Sequence, residues 1–300
     1  VLIISNSQAG SNEDDQIRAA AGELALSGVE SIEVVSCGTA EELERVLDRG
    51  DPTLVVAGGD GSLHALANAL YRRSELGERT VGLIPLGTGN DFARGLGIPL
   101  DAGDAAKTLL DGVARPLDLF VDDTGEVTVN AVHVGIGADS SREAARWKEK
   151  LGPASFPVGG LVAGWAAEGS RLRVEADNET VIDTRNKVLL VGLANGRSIG
   201  GGSGILDPDA SPDNGHINLV VSRSRGLWRR VTHAVRMHRG THPLELDVHR
   251  RRVSTVAISG EAVSLSNDGE LQTGVTSRSW RVLPGAWTFI VPRPDGGQDR

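Results

Sequence analysis

The chain has 300 residues, 39% of them hydrophobic, 24% charged and 3% aromatic, which is enough for one large or two ordinary domains with their own cores. Lys and Arg number 31 against 40 Asp and Glu, a formal charge of -9. Nucleic acid is disfavoured as a partner, because basic residues supply most non-specific affinity for phosphate backbones. A single cysteine, Cys37, leaves no internal disulfide framework and no Cys-based zinc site.

Residues 1–5 form a short apolar run, as in a buried parallel strand. Ser11 can cap a helix whose first turn holds Glu13, Asp14 and Asp15. Ile17, Ala21 and Leu24 share one face of it, and Gly28 can stop it. A strand over 31–36 and a helix over 39–49 follow, the latter with Leu43, Val46 and Leu47 on its apolar side. Strand 53–57 runs into Gly58-Gly59-Asp60-Gly61, and a helix over 63–73 leads to strand 80–84. This βαβα rhythm predicts a doubly wound parallel sheet, which binds ligands at the carboxyl ends of its strands. From about residue 115 the pattern becomes β-rich, with strands expected over 117–121, 127–134, 172–176, 180–183, 186–193, 216–221, 253–259, 263–265 and 279–282. Helical breaks are expected over 141–169 and 226–239. The longest weakly polar run, residues 156–167, falls short of the ~20 residues that span a bilayer. With no signal-peptide pattern and no transmembrane segment, a cytoplasmic protein is expected.

Two glycine-rich segments stand at strand ends. In Gly58-Gly59-Asp60-Gly61-Ser62 the backbone N–H groups and the following helix can make an anion site suited to phosphate. Asp60 repels phosphate, so it would hold Mg²⁺, take a proton from an attacking hydroxyl, or simply cap the helix of a tight turn. In the segment from Pro85 to Ala93, Gly87, Thr88, Gly89 and Asn90 can grip a nucleotide, and Asp91 is placed as a helix N-cap. Neither segment is a dinucleotide fingerprint or a Walker A loop.

Together these segments resemble the diacylglycerol kinase catalytic-domain family, the bacterial-type lipid kinases related to sphingosine kinases. Asn6 and Gly10 resemble that family's N-terminal loop, with Ser7 in place of its proline. Gly200-Gly201-Gly202, the run from Pro208 to Gly215, and Asp268-Gly269-Glu270 continue the likeness along essentially the whole chain. The resemblance implies an α/β nucleotide-binding domain over 1–116, completed by 285–300, and an antiparallel β-sandwich over 117–284, with the active site in a cleft between them. It also implies ATP and Mg²⁺ as cofactors, and a lipid hydroxyl, that of diacylglycerol first, as acceptor at the inner membrane surface. A homodimer is favoured over a monomer. Asn6, Gly10, Gly58, Gly59, Gly61, Ser62, Gly87, Thr88, Gly89 and Asn90 would hold the nucleotide. Glu270, Asp60 and Asp268 would be catalytic, with Glu270 preferred as general base. On an extended strand, Asp268 and Glu270 would face the same way and could share one metal or one proton, the alternative being a solvated turn at Asn267-Asp268-Gly269. Ser211, Asp213, Asn214 and His216 fall where the family carries a structural magnesium.

The chain departs from the family at three places. His64-Ala65 replaces an Asn-Glu pair, and Asn214 and Asn218 stand where Asp is usual, which weakens a hard-cation site. Residues 223–252 hold nine arginines against Glu245 and Asp247, a basic amphipathic stretch fit for anionic lipid or for an ordinary solvated face. The alternatives are an NAD kinase, which shares the Gly-Gly-Asp-Gly loop, and a non-catalytic nucleotide- or lipid-binding relative.

Overall fold

The computed structural model describes residues 1–6, 11–29, 31–135, 169–202, 204–223 and 248–293. Gly10, the expected helical breaks (residue 169 apart) and most of the basic stretch lie outside the described residues. The chain divides into two compact units, Val1–Leu117 with Gly285–Arg300, and Asp118–Pro284.

The first unit begins β1 (Leu2–Asn6), α1 (Ser11–Leu26), β2 (Glu33–Cys37), α2 (Ala40–Leu47), β3 (Thr53–Gly58), α3 (Asp60–Arg72) and β4 (Thr80–Pro85). Two helices follow, α4 (Asp91–Leu96) and α5 (Ala102–Asp111), and then β5 (Val113–Asp122), which runs on into the second unit. The sheet order is β2-β1-β3-β4, all parallel. Its strands are apolar because both faces are covered. Ile3, Val55, Ala57 and Ile84 pack with Ile17, Ala20 and Leu24 of α1 and with Ala102 and Ala106 of α5. On another side α2 packs against α3. The chain order reverses between β1 and β3, the kind of position where ligands bind in open parallel sheets. In register, Ser5 lies beside Ala57 and Gly58 beside Pro85. Asn6 and both glycine-rich loops therefore leave the sheet at the same end, that of the strand carboxyl termini.

The second unit continues with β6 (Val127–Thr128), β7 (Ala131–Gly135), β8 (Ser170–Ala176), β9 (Glu179–Ile182), β10 (Lys187–Val188), β11 (Leu190–Ala194) and the small pair β12 (Ser198–Ile199) and β13 (Gly204–Ile205). Then come β14 (Ile217–Ser222), β15 (Val248–Val253), β16 (Thr255–Asn267) and β17 (Glu270–Val291). Antiparallel pairing runs β15-β14-β11-β7-β16-β17. The first half of β16 pairs with β8 and its second half with β7, with a register shift between Ser259 and Val263. Val132, Val134, Leu172, Val174, Val191, Leu193, Leu219 and Leu265 share one core. This is a parallel α/β unit followed by a β-sandwich-like unit, the architecture expected from the sequence.

Two elements differ in extent from that expectation. The run 127–134 is broken, because residues 129 and 130 leave the strand to meet Asp268. β17 is far longer than 279–282, and its final residues return to the first unit, where Thr288 and Phe289 pair in parallel with Thr80 and Val81 of β4. There Trp287 and Phe289 stack with Phe92 of α4 at ring separations of 5.9 and 5.2 Å, and all three rings are buried.

Candidate active site

The loop from β3 to α3 is built for an anion. Gly59, not Asp60, is the N-cap of α3, and it provides no side-chain cap. Ser62 and Leu63 donate to Gly59 O at 3.1 and 3.2 Å, whereas the Gly61 N–H has no partner among the described residues. Gly61 is exposed, and a Cβ placed on it would meet nothing within 4 Å. An N–H without a partner among the described residues, on an exposed residue at the positive end of a thirteen-residue helix, fits a phosphate oxygen. At Gly58 a Cβ would instead lie 2.6 Å from Ser62 Oγ, so Ser62 folds back over its own loop.

Asp60 is a cap after all, but of the neighbouring helix. Its two carboxylate oxygens accept the N–H groups of Asp91 and Phe92 at 3.1 and 3.2 Å. Asp91 is thus the first residue of α4 and not its N-cap. That place belongs to Asn90, which lies in the left-handed region at φ 53°. The Asn90 side chain closes its own turn, accepting from Gly87 N at 3.0 Å and donating to Gly87 O at 2.6 Å. Thr88 is exposed and Gly89 half-buried in the same loop. The two glycine-rich loops touch each other through Gly59 and Gly87.

In the second unit, Asp268 and Gly269 form the tight turn between β16 and β17, with φ of 46° and 99°, and Asn267 pairs with Glu270. Asp268 is thus a turn residue, and an extended strand with both acids on one face is not what forms. Asn, Asp and Gly take these positive φ values most readily, and here they outweigh strand pairing. The Asp268 carboxylate accepts from Val129, Asn130 and Ala131 N–H at 2.6, 2.8 and 2.9 Å. The Glu270 carboxylate is exposed and has no partner among the described residues.

The expected metal loop is closed on itself. Ser211 Oγ donates to Asp213 Oδ1, and His216 N donates to Asn214 Oδ1 at 2.9 Å. Gly215 N donates to the buried Asp118 at 2.6 Å, and His216 is exposed. No group of three or more His, Cys, Asp or Glu able to hold a metal occurs among the described residues. The four expected residues lie together in this one loop, Ser211 bonded to Asp213 and His216 to Asn214. Asn218 is wholly buried, with Nδ2 donating to Ala194 O at 3.1 Å and Oδ1 without a partner among the described residues. Gly200, Gly201 and Gly202 are all left-handed, at φ of 65°, 71° and 78°, which only glycine sustains over three successive residues. His64 is a packed helix residue, 3.2 Å from Asn68 Nδ2.

Three buried polar residues were not singled out by sequence reasoning: Asp118, Asn130 and Asn195. Asn195 donates to Asp118 O at 2.8 Å and Val129 O at 2.7 Å, and Asn130 to Ser198 O at 2.9 Å. Only Asn195 carries a signal in the sequence, as an amide just after the apolar strand β11.

A parallel α/β unit with phosphate-ready loops at its strand ends, joined to a β-sandwich-like unit, is the build of a phosphotransferase. Residues 1–121 match the diacylglycerol kinase catalytic domain, and residues 130–291 match the YegS C-terminal NAD kinase beta sandwich-like domain. The chain is 35% identical over 298 residues to the "Probable lipid kinase YegS-like" of Pseudomonas aeruginosa PAO1, covering 97% of this chain and 94% of that protein. It is 30% identical over 221 residues to the "Diacylglycerol kinase" of Bacillus subtilis strain 168, covering 72% and 70%. A crystal structure of a diacylglycerol kinase from Bacillus anthracis str. Sterne superposes with a TM-score of 0.75 at 18% identity, covering 97% of this chain and 96% of that one, a likeness of fold. The chain belongs to the diacylglycerol kinase catalytic-domain family, among its YegS-like lipid kinases. As a member it uses ATP and acts on a lipid.

Proposed function

We propose that the protein transfers the γ-phosphoryl group of MgATP to the hydroxyl of diacylglycerol, giving phosphatidic acid and ADP. The observation that carries this reading is the open N-terminus of α3, where the Gly61 N–H has no partner among the described residues and Gly61 itself is exposed. The names of relatives from Bacillus subtilis and Staphylococcus saprophyticus favour diacylglycerol as acceptor.

Phosphoryl transfer depends on positioning and charge stabilisation more than on covalent chemistry. The backbone of 58–62 and 87–90 would hold the phosphates. Glu270, exposed and without a partner among the described residues, is suited to take the proton of the lipid hydroxyl as its oxygen bonds to the γ-phosphorus and the bond to ADP breaks. Asp60 is less suited as a base, because protonation would cost it an acceptor site on α4. As a carboxylate beside the phosphate loop it is of the type that would ligate Mg²⁺, an ion that commonly uses one or two carboxylates plus substrate phosphates. That ion would neutralise the charge developing on the transferred group. Diacylglycerol is a membrane lipid, so the reaction takes place at a bilayer surface. No helix among the described residues is long and apolar enough to cross one.

The test is γ-labelled ATP with a total lipid extract and identification of the labelled product. Labelled phosphatidic acid is expected, and label in NAD with none in lipid would overturn the reading. Glu270→Gln should lower kcat by about 10²–10⁴. Full activity in that variant would remove the base assignment.

A further inference from the structure

We propose that Asp268 is a positioning residue: its carboxylate builds the turn that presents Glu270 and takes no part in proton transfer or metal binding. The proposal rests on the lipid-kinase reading above for what the turn presents.

Asp268 is held by backbone. Three successive N–H groups, of Val129, Asn130 and Ala131, donate to its carboxylate, and its own N–H donates to Ala131 O at 3.0 Å. These bonds lie at the gap between β6 and β7, where residues 129 and 130 have left the strand ladder. Buried N–H groups at such a break need an acceptor, and one carboxylate supplies it three times.

The same unit contains a second example of this device. Asp177 is the first residue of the tight turn between β8 and β9, with φ of 49°, followed by Asn178 at 66°. Its Oδ1 accepts from Ser254 N and Thr255 N, both at 2.9 Å, and from Thr255 Oγ1 at 3.3 Å, at the break between β15 and β16. No residue of the proposed reaction belongs to that hairpin. A left-handed Asp at the head of a two-residue turn, clamping N–H groups at a strand break, thus secures two hairpins of this unit.

At Asp268 the clamp reaches further. Asn130, held through its N–H, accepts Asn195 N and Gly196 N on its carbonyl at 2.9 Å each. Its side chain holds Ser198 O, ahead of the three left-handed glycines. Asn195 ties Val129 O to Asp118 O, and Asp118 in turn holds Gly215 N. One set of hydrogen bonds therefore joins the turn of Glu270 to the strand before Gly200 and to the loop 211–216. The charge of Asp268 faces inward to amides, while Glu270 stays exposed.

The experiment compares the full chain with Asp268→Ala, Asp268→Asn and Asp177→Ala. The Asn variant keeps an oxygen for Asn130 and Ala131 and loses the Val129 bond. In Asp268→Ala, kcat should fall about a hundredfold through misplacement of the base. Asp268→Asn should recover about a tenth or more of wild-type kcat, with the acid limb of the pH profile and the Mg²⁺ requirement unchanged. Asp177→Ala should lower Tm yet keep kcat within about twofold well below the transition. Amide exchange at 129–131 should accelerate in Asp268→Ala and not in Asp177→Ala. If Asp268→Ala does not fold, Asp268→Asn decides alone. An Asn variant as inactive as Ala at wild-type Tm, a lost acid limb, a raised Mg²⁺ requirement, or unchanged exchange at 129–131 would overturn the proposal. If the wild-type chain phosphorylates no lipid, the functional reading falls, and the exchange measurement still decides the role of Asp268.

Discussion

Gly59 and Gly87 meet backbone to backbone. A Cβ on Gly87 would lie 2.5 Å from Gly59 Cα, and one on Gly59 would lie 3.0 Å from Gly87 Cα. Each is glycine because of the other, whereas Gly61 has open space around it. Gly87→Ala should therefore lower both Tm and ATP affinity by prising the loops apart. Gly61→Ala should hold or raise Tm, since Ala exceeds Gly in a helix by about 0.5–1 kcal/mol, yet weaken ATP by filling the room for phosphate. Thermal shifts with and without ATP check both. An unaltered ATP response in Gly61→Ala would remove phosphate from the start of α3.

Asp60 should reveal itself as a cap in a variant assayed without nucleotide. Removing an N-terminal capping side chain costs about 0.5–2 kcal/mol, and Asp60→Ala loses the acceptors of two N–H groups. Urea unfolding measures the loss. Amide exchange should place it in α4, at Asp91 and Phe92, and not in α3. Unchanged exchange at those two amides would contradict the capping role.

The hairpin of β5 and β6 is tied to β17 by a buried ion pair. Arg278 NH1 lies 3.0 Å from Asp122 Oδ2, with side chains 11% and 3% exposed, and Arg278 also donates to Gln272 Oε1 at 2.9 Å. Breaking such a pair from one side strands a charge, so Arg278→Met should cost about 3–5 kcal/mol. A paired Asp122→Asn, Arg278→Met variant should recover part of it, because the uncompensated carboxylate is gone. A double-mutant cycle in urea reads the coupling.

His249 sets a pH dependence. Burial, then the Arg223 guanidinium 2.6 Å from its Nε2, hold its pKa below 6.5, and Asp183 lies near enough to Arg223 to feel its charge. In the window from the depressed folded value up to about 6.5 the unfolded chain binds the extra proton. Stability from this site is therefore complete above that window and declines as pH falls through it. His249→Gln should flatten the slope of Tm against pH there. A slope equal to wild type would assign it to other groups.

The loop 211–216 predicts indifference to chelation. Asp213 and Asn214 oxygens accept hydrogen bonds from Ser211 and His216 inside the loop. Treatment with EDTA should leave Tm of the nucleotide-free protein unchanged. A drop reversed by Mg²⁺ would show these oxygens turning outward to an ion.

The strand–helix alternation of the first unit was legible because each parallel strand, buried on both faces, is a nearly continuous apolar run, as 53–57 and 80–84 are. The ends of β3 and β4 were legible too, since their glycines announce close backbone approach. What Asp60 does was not. Its partners lie 31 and 32 residues on, and helix caps are ordinarily sought within one turn. The paired reading of Asp268 and Glu270 erred for a related reason. Spacing alone cannot tell a strand from a tight turn, and the outcome depends on Val129 to Ala131, more than 130 residues away. β17 was missed over most of its length because Gly274, Pro284 and Gly285 punctuate it as turns would.

That last strand also orders events during synthesis. Residues 285–291 leave the ribosome after every residue of the second unit, yet they supply the strand beside β4 and the rings that stack on Phe92. The nascent first unit therefore waits, with the Phe92 side of its sheet uncovered, while the β-rich unit between its two segments emerges. Truncation just before Trp287 should leave the second unit foldable and the first one aggregation-prone.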